Sequence, residues 1–336
     1  MDPSAIWEGG GLGSRLARGA LSPLAWLFGA GVAGRNALFD AGVLASRATA
    51  IPSISVGNLS VGGTGKTPVA ADVARRLLEA GAHPALVLRG YGDDEPAVHA
   101  ILNPDVPVLT SPDRVAACEA ARARGCDVAV LDDAFQHRQA RRVVDLVLVA
   151  AEQWGRSVRL LPAGPYREPA SALRRASLLV VTRKTASAAE AREIAERLAA
   201  QAAIPAATVA FGLDALRRVG GDGALRPLSS LGGQSVLAVT GIGAPRAFAA
   251  QLEGVGTRVE LVSFPDHHHF DARDVARIMA RAPRHNCVVC TLKDAVKLGT
   301  HWPRAGVPLW YVSQRLTVES GEAAYDAAIR RVLDAR

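Results

Sequence analysis

The sequence predicts an α/β fold, in which a doubly wound and mostly parallel sheet is followed by a second, smaller α/β domain. From residue 51 onward, short continuous apolar runs alternate with longer segments of helical periodicity. This pattern is typical of parallel strands buried under helices on both faces. The alternation breaks into glycine- and arginine-containing pieces over 212–234 and then resumes. The length of 336 residues also favours two domains.

Each series of apolar runs gives its own set of elements. In the first series, strands are predicted over 51–57, 84–89, 127–133, 144–150 and 177–183, and helices over 67–80, 112–124 and 187–202. In the second series, strands are predicted over 235–241, 258–264, 287–292 and 308–313, and helices over 245–254, 271–281 and 318–334. We therefore expect a first domain over 1–211, a hairpin-like linker over 212–234 and a second domain over 235–336. The last helix packs either on its own domain or on the first.

Composition limits the partners. The formal net charge is +7, which suits an anionic partner such as a nucleotide, a nucleic acid or an acidic membrane surface. The arginines are spread along the chain without a long basic block, so we expect no nucleic-acid partner. No obligate protein partner is inferred.

Cysteine usage indicates a reducing compartment. Four cysteines in a chain of this length do not suggest a disulfide framework. Cys287 and Cys290 form a CxxC motif in a strand-like run, but a tetrahedral zinc site needs four ligands. Buried strand cysteines are therefore favoured over a redox or metal role, and a cytoplasmic protein fits.

The N-terminal region contains an uncharged apolar stretch, residues 19–34, flanked by arginines. It is shorter than the roughly 20 residues that span a bilayer. Two interpretations remain open. The stretch lies in a membrane interface through Trp26, Leu27 and Phe28, or it is an ordinary helix packed on the core.

A glycine-rich loop follows the first predicted strand and precedes a helix, in the sequence SVGNLSVGGTGKTPV. Glycines let backbone N–H groups turn toward a phosphate, and the helix N-terminus adds partial positive charge. Ser60 occupies the first glycine position of the strict Walker A pattern, but the Gly-Lys-Thr is in place. The loop therefore predicts a P-loop fold of the NTPase type that binds a nucleotide and Mg²⁺. The candidate nucleotide-binding residues here are Asn58, Gly62, Gly63, Thr64, Gly65, Lys66 and Thr67.

Three polar clusters are candidates for the rest of the site. Asp132 and Asp133 end a predicted core strand, where one carboxylate can hold Mg²⁺ and the other is free for another role, although a simple turn cap is the alternative. The acidic run 93–95 either faces the active centre or is solvated charge. The histidines of 267–269 either include a general base or lie on the surface.

Taken together, the ordered motifs resemble the tetraacyldisaccharide 4′-kinase family, the lipid A 4′-kinases of Gram-negative bacteria. The resemblance extends from about residue 21 to about residue 312. Its motifs are SVGNLSVGGTGKTP, RGYG, DEP, LDDAFQHR, LPAGPYREP, TGIGAPRAF, FPDHHHF and TLKDAVKL.

The resemblance implies a fold, an activity and a location. The family phosphorylates the 4′-hydroxyl of a lipid A disaccharide 1-phosphate with ATP and Mg²⁺, giving lipid IVA. Its members have two α/β domains with a cleft between them. The implied location is peripheral, on the cytoplasmic face of the bacterial inner membrane, and the implied partners are the lipid substrate and that membrane surface.

The resemblance also implies roles for individual residues. Asp94 corresponds to the catalytic aspartate and His267 to its histidine partner, and Asp133 belongs with them as a catalytic candidate. Lys66 corresponds to the phosphate-binding lysine, while Thr67 and Asp132 would hold Mg²⁺. The remaining matches are Gln136 and Glu168 at the active centre, and Arg89, Tyr91 and Arg114 near the lipid headgroup.

One departure and two rival functions stay open at this point. RGYG and DEP nearly fuse here as RGYGDDEP, so either Asp93 or Asp94 is the equivalent aspartate, and any of His267–His269 is the histidine. A nucleotide-switch protein for metal delivery would need a guanine-reading N-K-x-D motif, of which the sequence has only Leu292-Lys293-Asp294. A P-loop kinase or ligase for a soluble metabolite would not need the apolar N-terminal stretch.

Overall fold

A computed structural model describes residues 6–7, 9–90, 94–155, 158–220, 224–243, 245–266, 268–303 and 306–336. The chain divides into two compact units. Unit 1 comprises Met1–Tyr91, Leu102–Ala210 and Leu316–Arg336. Unit 2 comprises Gly92–Ile101 and Phe211–Arg315.

The strands of unit 1 are, in chain order, β1 (Arg47–Ala48), β2 (Ser53–Asn58), β3 (Pro84–Leu88), β4 (Val108–Thr110), β5 (Val128–Asp132), β6 (Ala140–Arg141), β7 (Val144–Ala150), β8 (Leu178–Arg183) and the beginning of β9 (Ala206–Arg218). The sheet order is β9-β8-β7-β2-β5-β3-β4, and all of these pairings are parallel. β1 and β6 form a separate short parallel pair. The predicted doubly wound parallel sheet is confirmed.

The central strands of unit 2 also pair in parallel. Its strands are β10 (Leu225–Pro227), β11 (Ser235–Thr240), β12 (Arg258–Ser263), β13 (Cys287–Thr291) and most of β14 (Leu309–Ser320). The order is β12-β11-β13-β14, with parallel pairing throughout. β10 pairs antiparallel with the end of β9.

Helices cover the sheets. They are α1 (Leu12–Asp40), α2 (Lys66–Glu79), α3 (Asp94–Leu102), α4 (Arg114–Ala123), α5 (Ala188–Ala202), α6 (Pro245–Glu253), α7 (Ala272–Met279), α8 (Leu292–Leu298) and α9 (Glu322–Leu333). Short 3₁₀ turns occupy Ala170–Arg175, Leu228–Leu231 and Ala282–Arg284. Every residue of β2, β3 and β5 is buried, as expected for strands covered on both faces.

The register of β2 positions the phosphate-loop region. β2 lies between β7 and β5 in the sheet, and Val56 of β2 is opposite Asp132 of β5. The loop after β2 and the acidic end of β5 therefore emerge side by side at the carboxyl edge of the sheet. Ligands of open α/β sheets bind at this edge.

The N-terminal helix α1 is not an ordinary core helix. Only Ala25 and Phe39 of its 29 residues are buried, whereas Trp26 is 81% and Leu27 is 70% exposed. Among the described residues, α1 is the one helix long and apolar enough to cross a membrane by length and composition.

Three boundaries differ from the expected ones. Residues 92–101 group with unit 2 rather than with the first series of elements. Residues 212–218 continue the long strand β9, whose antiparallel pairing with β10 forms a hairpin within the expected hairpin-like linker. Residues 318–320 belong to β14, and the last helix begins only at Glu322. Gly321 is the N-cap of this helix, and its φ of +72° together with the close carbonyl oxygen of Ala206 requires a glycine there. α9 belongs to unit 1.

Gly57 in β2 is a tightly packed position. A Cβ added there would lie 2.5 Å from the Cβ of Phe135 and 2.9 Å from its backbone nitrogen. We expect Gly57→Ala to lower the free energy of unfolding by about 1–3 kcal/mol, because the backbone must shift to relieve the overlap. Urea denaturation followed by circular dichroism measures this change.

Gly212→Ala is the matched control for the Gly57 variant. Gly212 also lies in a strand, but no heavy atom lies within 4 Å of its added Cβ. A loss of stability in Gly212→Ala as large as that in Gly57→Ala would contradict the packing explanation.

Candidate functional site

The glycine loop between β2 and α2 has the backbone that a phosphate site requires. Gly62 has a φ of +119°, and Gly65, the N-cap of α2, has a φ of +86°. Both values favour glycine. Ser60 does not have such a left-handed backbone. A serine therefore fits at the first position of the Walker A pattern without strain.

Neighbouring segments hold the loop. Asn58 Nδ2 donates to Thr64 Oγ1 at 2.8 Å, and Thr182 Oγ1 donates to the carbonyl oxygen of Thr64 at 2.9 Å. The backbone N–H of Val61 donates to the carbonyl oxygen of Pro165 at 2.7 Å. These bonds fix the loop conformation from both sides, and a fixed loop has a smaller ordering cost on binding.

Asp133 brings the charges of the site together. Its carboxylate lies 3.7 Å from Lys66 Nζ and accepts hydrogen bonds from Arg167 Nη1 at 3.0 Å to each oxygen. Burial opposes ionisation of this carboxyl, but the charges of Lys66, Arg167 and Arg114 outweigh it and hold its pKa below the ordinary value. Asp133 is therefore a carboxylate at neutral pH.

The backbone of Asp133 is unusual. Its φ is +51°, one of two left-handed non-glycine residues in the described part of the chain. Asp tolerates this region better than most residues, at some energetic cost. Its backbone N–H donates to the carbonyl oxygen of Val56 at 2.9 Å, which fixes the turn directly after β5.

Arg167 lies in the site but was not among the residues predicted from the sequence. Its backbone N–H donates to the carbonyl oxygen of Leu59 at 2.7 Å, so the segment LPAGPYREP runs alongside the phosphate loop. The sequence feature that could have indicated Arg167 is the Arg-Glu pair in this proline-rich segment. The contact of Arg167 with Asp133 cannot be predicted from their spacing in the sequence.

The candidate magnesium residues are buried at the same edge. Thr67 lies in the first turn of α2 and Asp132 ends β5, and both are buried. Three further buried acceptors have no hydrogen-bonding partner among the described residues. They are Asn58 Oδ1, Gln136 Oε1 and Glu168 Oε1.

This donor set fits Mg²⁺. All of these atoms are hard oxygens, which Mg²⁺ prefers. Among the described residues, no three His, Cys, Asp or Glu side chains come together as a self-sufficient metal site. Mg²⁺ in nucleotide sites usually takes one or two protein ligands and completes its shell with water and phosphate oxygens.

Arg114 and Arg89 lie near the acidic pair. Arg114 is almost fully buried, and its guanidinium donates to the carbonyl oxygens of Ser111 at 2.7 Å and of Asp132 at 3.4 Å. Burial and the charge of Arg89 lower the pKa of Arg114, against the attraction of Asp133 and Asp132. Tyr91, the third headgroup candidate, lies outside the described residues.

Asp94 begins α3 in unit 2. Its Oδ2 lies 3.5 Å from Lys297 Nζ, and both side chains are largely buried. Lys297 also donates to the carbonyl oxygen of His268 at 3.3 Å. Asp93 lies outside the described residues, so the choice between Asp93 and Asp94 remains a prediction.

The histidine cluster is partly occupied by structural contacts. His268 Nε2 lies 2.7 Å from Asp274 Oδ2, and its ring contacts Phe264 and Phe270. The side chain of His268 therefore packs within unit 2. His267, the expected partner of the catalytic aspartate, lies outside the described residues.

The cysteines are buried and protonated. Cys287 and Cys290 lie in β13, and burial raises the pKa of both thiols. This placement agrees with strand packing.

His137 makes the stability of unit 1 sensitive to acid. Burial, with the charges of Arg114 and Arg142, lowers its pKa from 6.5 to about 4. The unfolded chain takes up a proton near the ordinary value while the folded chain does not. The contribution of His137 to the free energy of unfolding is therefore fully present above its ordinary pKa of 6.5. It is lost as the pH falls from 6.5 toward 4.

We expect His137→Gln to move the midpoint of acid unfolding to lower pH, because glutamine takes up no proton in the unfolded state. Tryptophan fluorescence across a pH titration measures the midpoint. His83→Gln, at an exposed position, is the control. Equal midpoints for wild type and His137→Gln would contradict the assignment.

Comparisons with known proteins identify the family of this chain. The family model described as tetraacyldisaccharide-1-P 4′-kinase matches residues 17–99 and 92–334. The two ranges overlap where RGYG and DEP nearly fuse. A curated tetraacyldisaccharide 4′-kinase of Anaeromyxobacter sp. (strain K) is 39% identical over 303 residues, covering 81% of this chain and 79% of that protein.

Two further matches extend over almost the whole chain. The tetraacyldisaccharide 4′-kinase of Halorhodospira halophila is 37% identical, covering 94% of this chain and 93% of that protein. The crystal structure of LpxK from Aquifex aeolicus in complex with ATP has a TM-score of 0.74 at 27% identity, covering 94% of this chain and 99% of that chain. The chain therefore belongs to the tetraacyldisaccharide-1-P 4′-kinase family.

Proposed function

We propose that this protein transfers the γ-phosphoryl group of ATP to the 4′-hydroxyl of tetraacyldisaccharide 1-phosphate, giving lipid IVA and ADP in lipid A biosynthesis. The observation that carries the proposal is the contact of Asp133 with Lys66 and Arg167 beside a pre-formed phosphate loop, in a chain of this family. Lys66 and Arg167, both held by the Asp133 carboxylate, place positive charge where it can stabilise the phosphates of ATP.

The reaction is a direct transfer. The bond between the γ-phosphorus and the β,γ-bridging oxygen breaks, and a bond forms between the sugar 4′-oxygen and that phosphorus. Lys66 and the N–H groups of the loop stabilise negative charge that shifts among the phosphate oxygens. We assign Arg167 to the same task, with Asp133 holding its guanidinium in place.

The hydroxyl proton needs an acceptor. We assign it to the carboxylate of Asp94, with His267 as its partner, because both match the family motif. Lys297 Nζ, 3.5 Å from Asp94 Oδ2, holds this carboxylate in position. Arg89, Tyr91 and Arg114 are proposed contacts of the lipid headgroup.

Mg²⁺ is proposed as the cofactor, held by Thr67 and Asp132. When bound, it would neutralise charge on the β- and γ-phosphates. Gln136 and Glu168 supply the additional oxygen atoms described above, for the cation or its water shell.

We place the protein at the cytoplasmic face of the inner membrane. The exposed apolar side chains of α1 support this location, since Trp26 and Leu27 have large apolar areas facing solvent. An interfacial attachment would keep the acyl chains of the substrate in the membrane while the sugar reaches the protein.

A direct assay tests the proposal. The full chain is incubated with γ-³²P-labelled ATP, Mg²⁺ and tetraacyldisaccharide 1-phosphate in detergent micelles. We expect a labelled lipid carrying phosphate at the 4′ position, identified by chromatography and mass spectrometry. Soluble sugars replace the lipid in the control. Labelling of a soluble sugar, with none of the lipid, would refute the lipid assignment.

The same assay identifies the proton acceptor. We expect Asp94→Ala to lower kcat by about 10²- to 10⁴-fold, the usual contribution of a general base, with ATP affinity largely retained. Asp93→Ala is the matched control and should stay close to wild type. If Asp93→Ala is the damaging change instead, the acceptor is Asp93.

A further inference from the structure

The last turns of α1 reach the candidate nucleotide site. Asn36, near the end of the helix, donates from Nδ2 to Glu168 Oε2 at 2.9 Å. Glu168 is 1% exposed, and it follows Arg167 in the segment beside the phosphate loop. The helix with the exposed apolar side chains therefore also contacts a buried carboxylate of the site.

The two oxygens of Glu168 have different surroundings. Oε2 accepts from Asn36 and from Arg175 Nη2, the latter at 2.8 Å. Oε1 is buried and has no hydrogen-bonding partner among the described residues. Two donors on one oxygen fix the carboxylate, and the other oxygen remains for a ligand. A buried acceptor left unsatisfied is costly, which favours binding of a cation or a donor.

The end of α1 is held against the same group of residues by other contacts. Arg138 Nη1 donates to the carbonyl oxygen of Asn36 at 3.0 Å, and Arg35 donates to the carbonyl oxygen of Gln136. The ring of Phe39 lies 5.3 Å from the Arg35 guanidinium and 5.1 Å from that of Arg138. The position of Asn36 is therefore fixed by contacts of its own backbone and of its neighbours Arg35 and Phe39.

We infer that Asn36 is a positioning residue for phosphoryl transfer, which holds the Glu168 carboxylate so that Oε1 meets the hydrated cation of the bound nucleotide. The inference rests on the proposed kinase function. It makes α1 a part of the active centre as well as an attachment segment. Residues that orient a ligand group in this way typically contribute about 10- to 100-fold to metal affinity or activity.

The test uses Asn36→Asp in the full chain, a change of similar size that removes the donor and places a second carboxylate beside Glu168. We expect kcat with micellar substrate to fall by about 10- to 100-fold, with little change in KM for the lipid. The affinity for Mn²⁺, measured by electron paramagnetic resonance with a non-hydrolysable ATP analogue, should fall in parallel. Asn36→Ala, which removes the donor without adding charge, should change both in the same direction.

Ala37→Asp is the matched control. It adds the same charge one position along the helix, at an exposed residue. Its kcat and Mn²⁺ affinity should equal those of wild type, and the melting temperatures show that the variants are folded.

Two outcomes separate this inference from the proposed function. If wild type is active and both Asn36 variants keep wild-type kcat and Mn²⁺ affinity, Asn36 only anchors the helix and the inference is wrong. If wild type makes no phosphorylated lipid, the proposed function fails. In that case the Mn²⁺ measurement still shows whether Asn36 supports a cation site.

Discussion

The arrangement of the candidate site depends on one carboxylate, that of Asp133. It lies at the end of a fully buried strand, in a left-handed backbone conformation, and contacts both the loop lysine and Arg167. Without this carboxylate, the positive charges of Lys66, Arg167 and Arg114 would repel one another at a partly buried position. Its charge therefore lets Lys66, Arg167 and Arg114 lie together at one edge of an otherwise apolar sheet. The backbone hydrogen bond from Asp133 to Val56 ties this arrangement to the register of β2 and β5.

The N-terminal helix combines two kinds of surface that are usually separate. Most of its apolar side chains face solvent, whereas its last turns make polar contacts with Glu168, Gln136 and Arg138. A helix held by apolar packing alone would bury its apolar stripe. Here the polar end supplies the attachment to unit 1, which leaves the apolar part available for another environment. This division fits an enzyme whose substrate has both acyl chains and a charged headgroup.

Unit 2 has an equivalent buried anchor in Asp294. Its carboxylate accepts from Thr240 Oγ1 at 2.8 Å, from the backbone N–H of Gly241 at 2.9 Å and from Thr291 Oγ1 at 2.7 Å. These bonds tie the carboxyl ends of β11 and β13 to the start of α8. Lys297 lies one turn further along α8 and contacts Asp94. The position of the candidate proton acceptor is thus linked to the buried core of unit 2 through a short helix.

The parallel strands, the phosphate loop and the family can be predicted from the amino-acid sequence, because continuous apolar runs, the Gly-Lys-Thr and ordered motifs are local properties of the chain. Which distant groups meet depends on the tertiary structure. The pairs Asn36–Glu168 and Asp133–Arg167 are separated by 132 and 34 residues, and no periodicity relates such positions. Residues 92–101 group with unit 2, where Asp94 pairs with Lys297, and the last helix begins after the close approach of Gly321 to Ala206. Local patterns specify elements and candidate chemistry, whereas contacts between distant segments are set only when the chain packs.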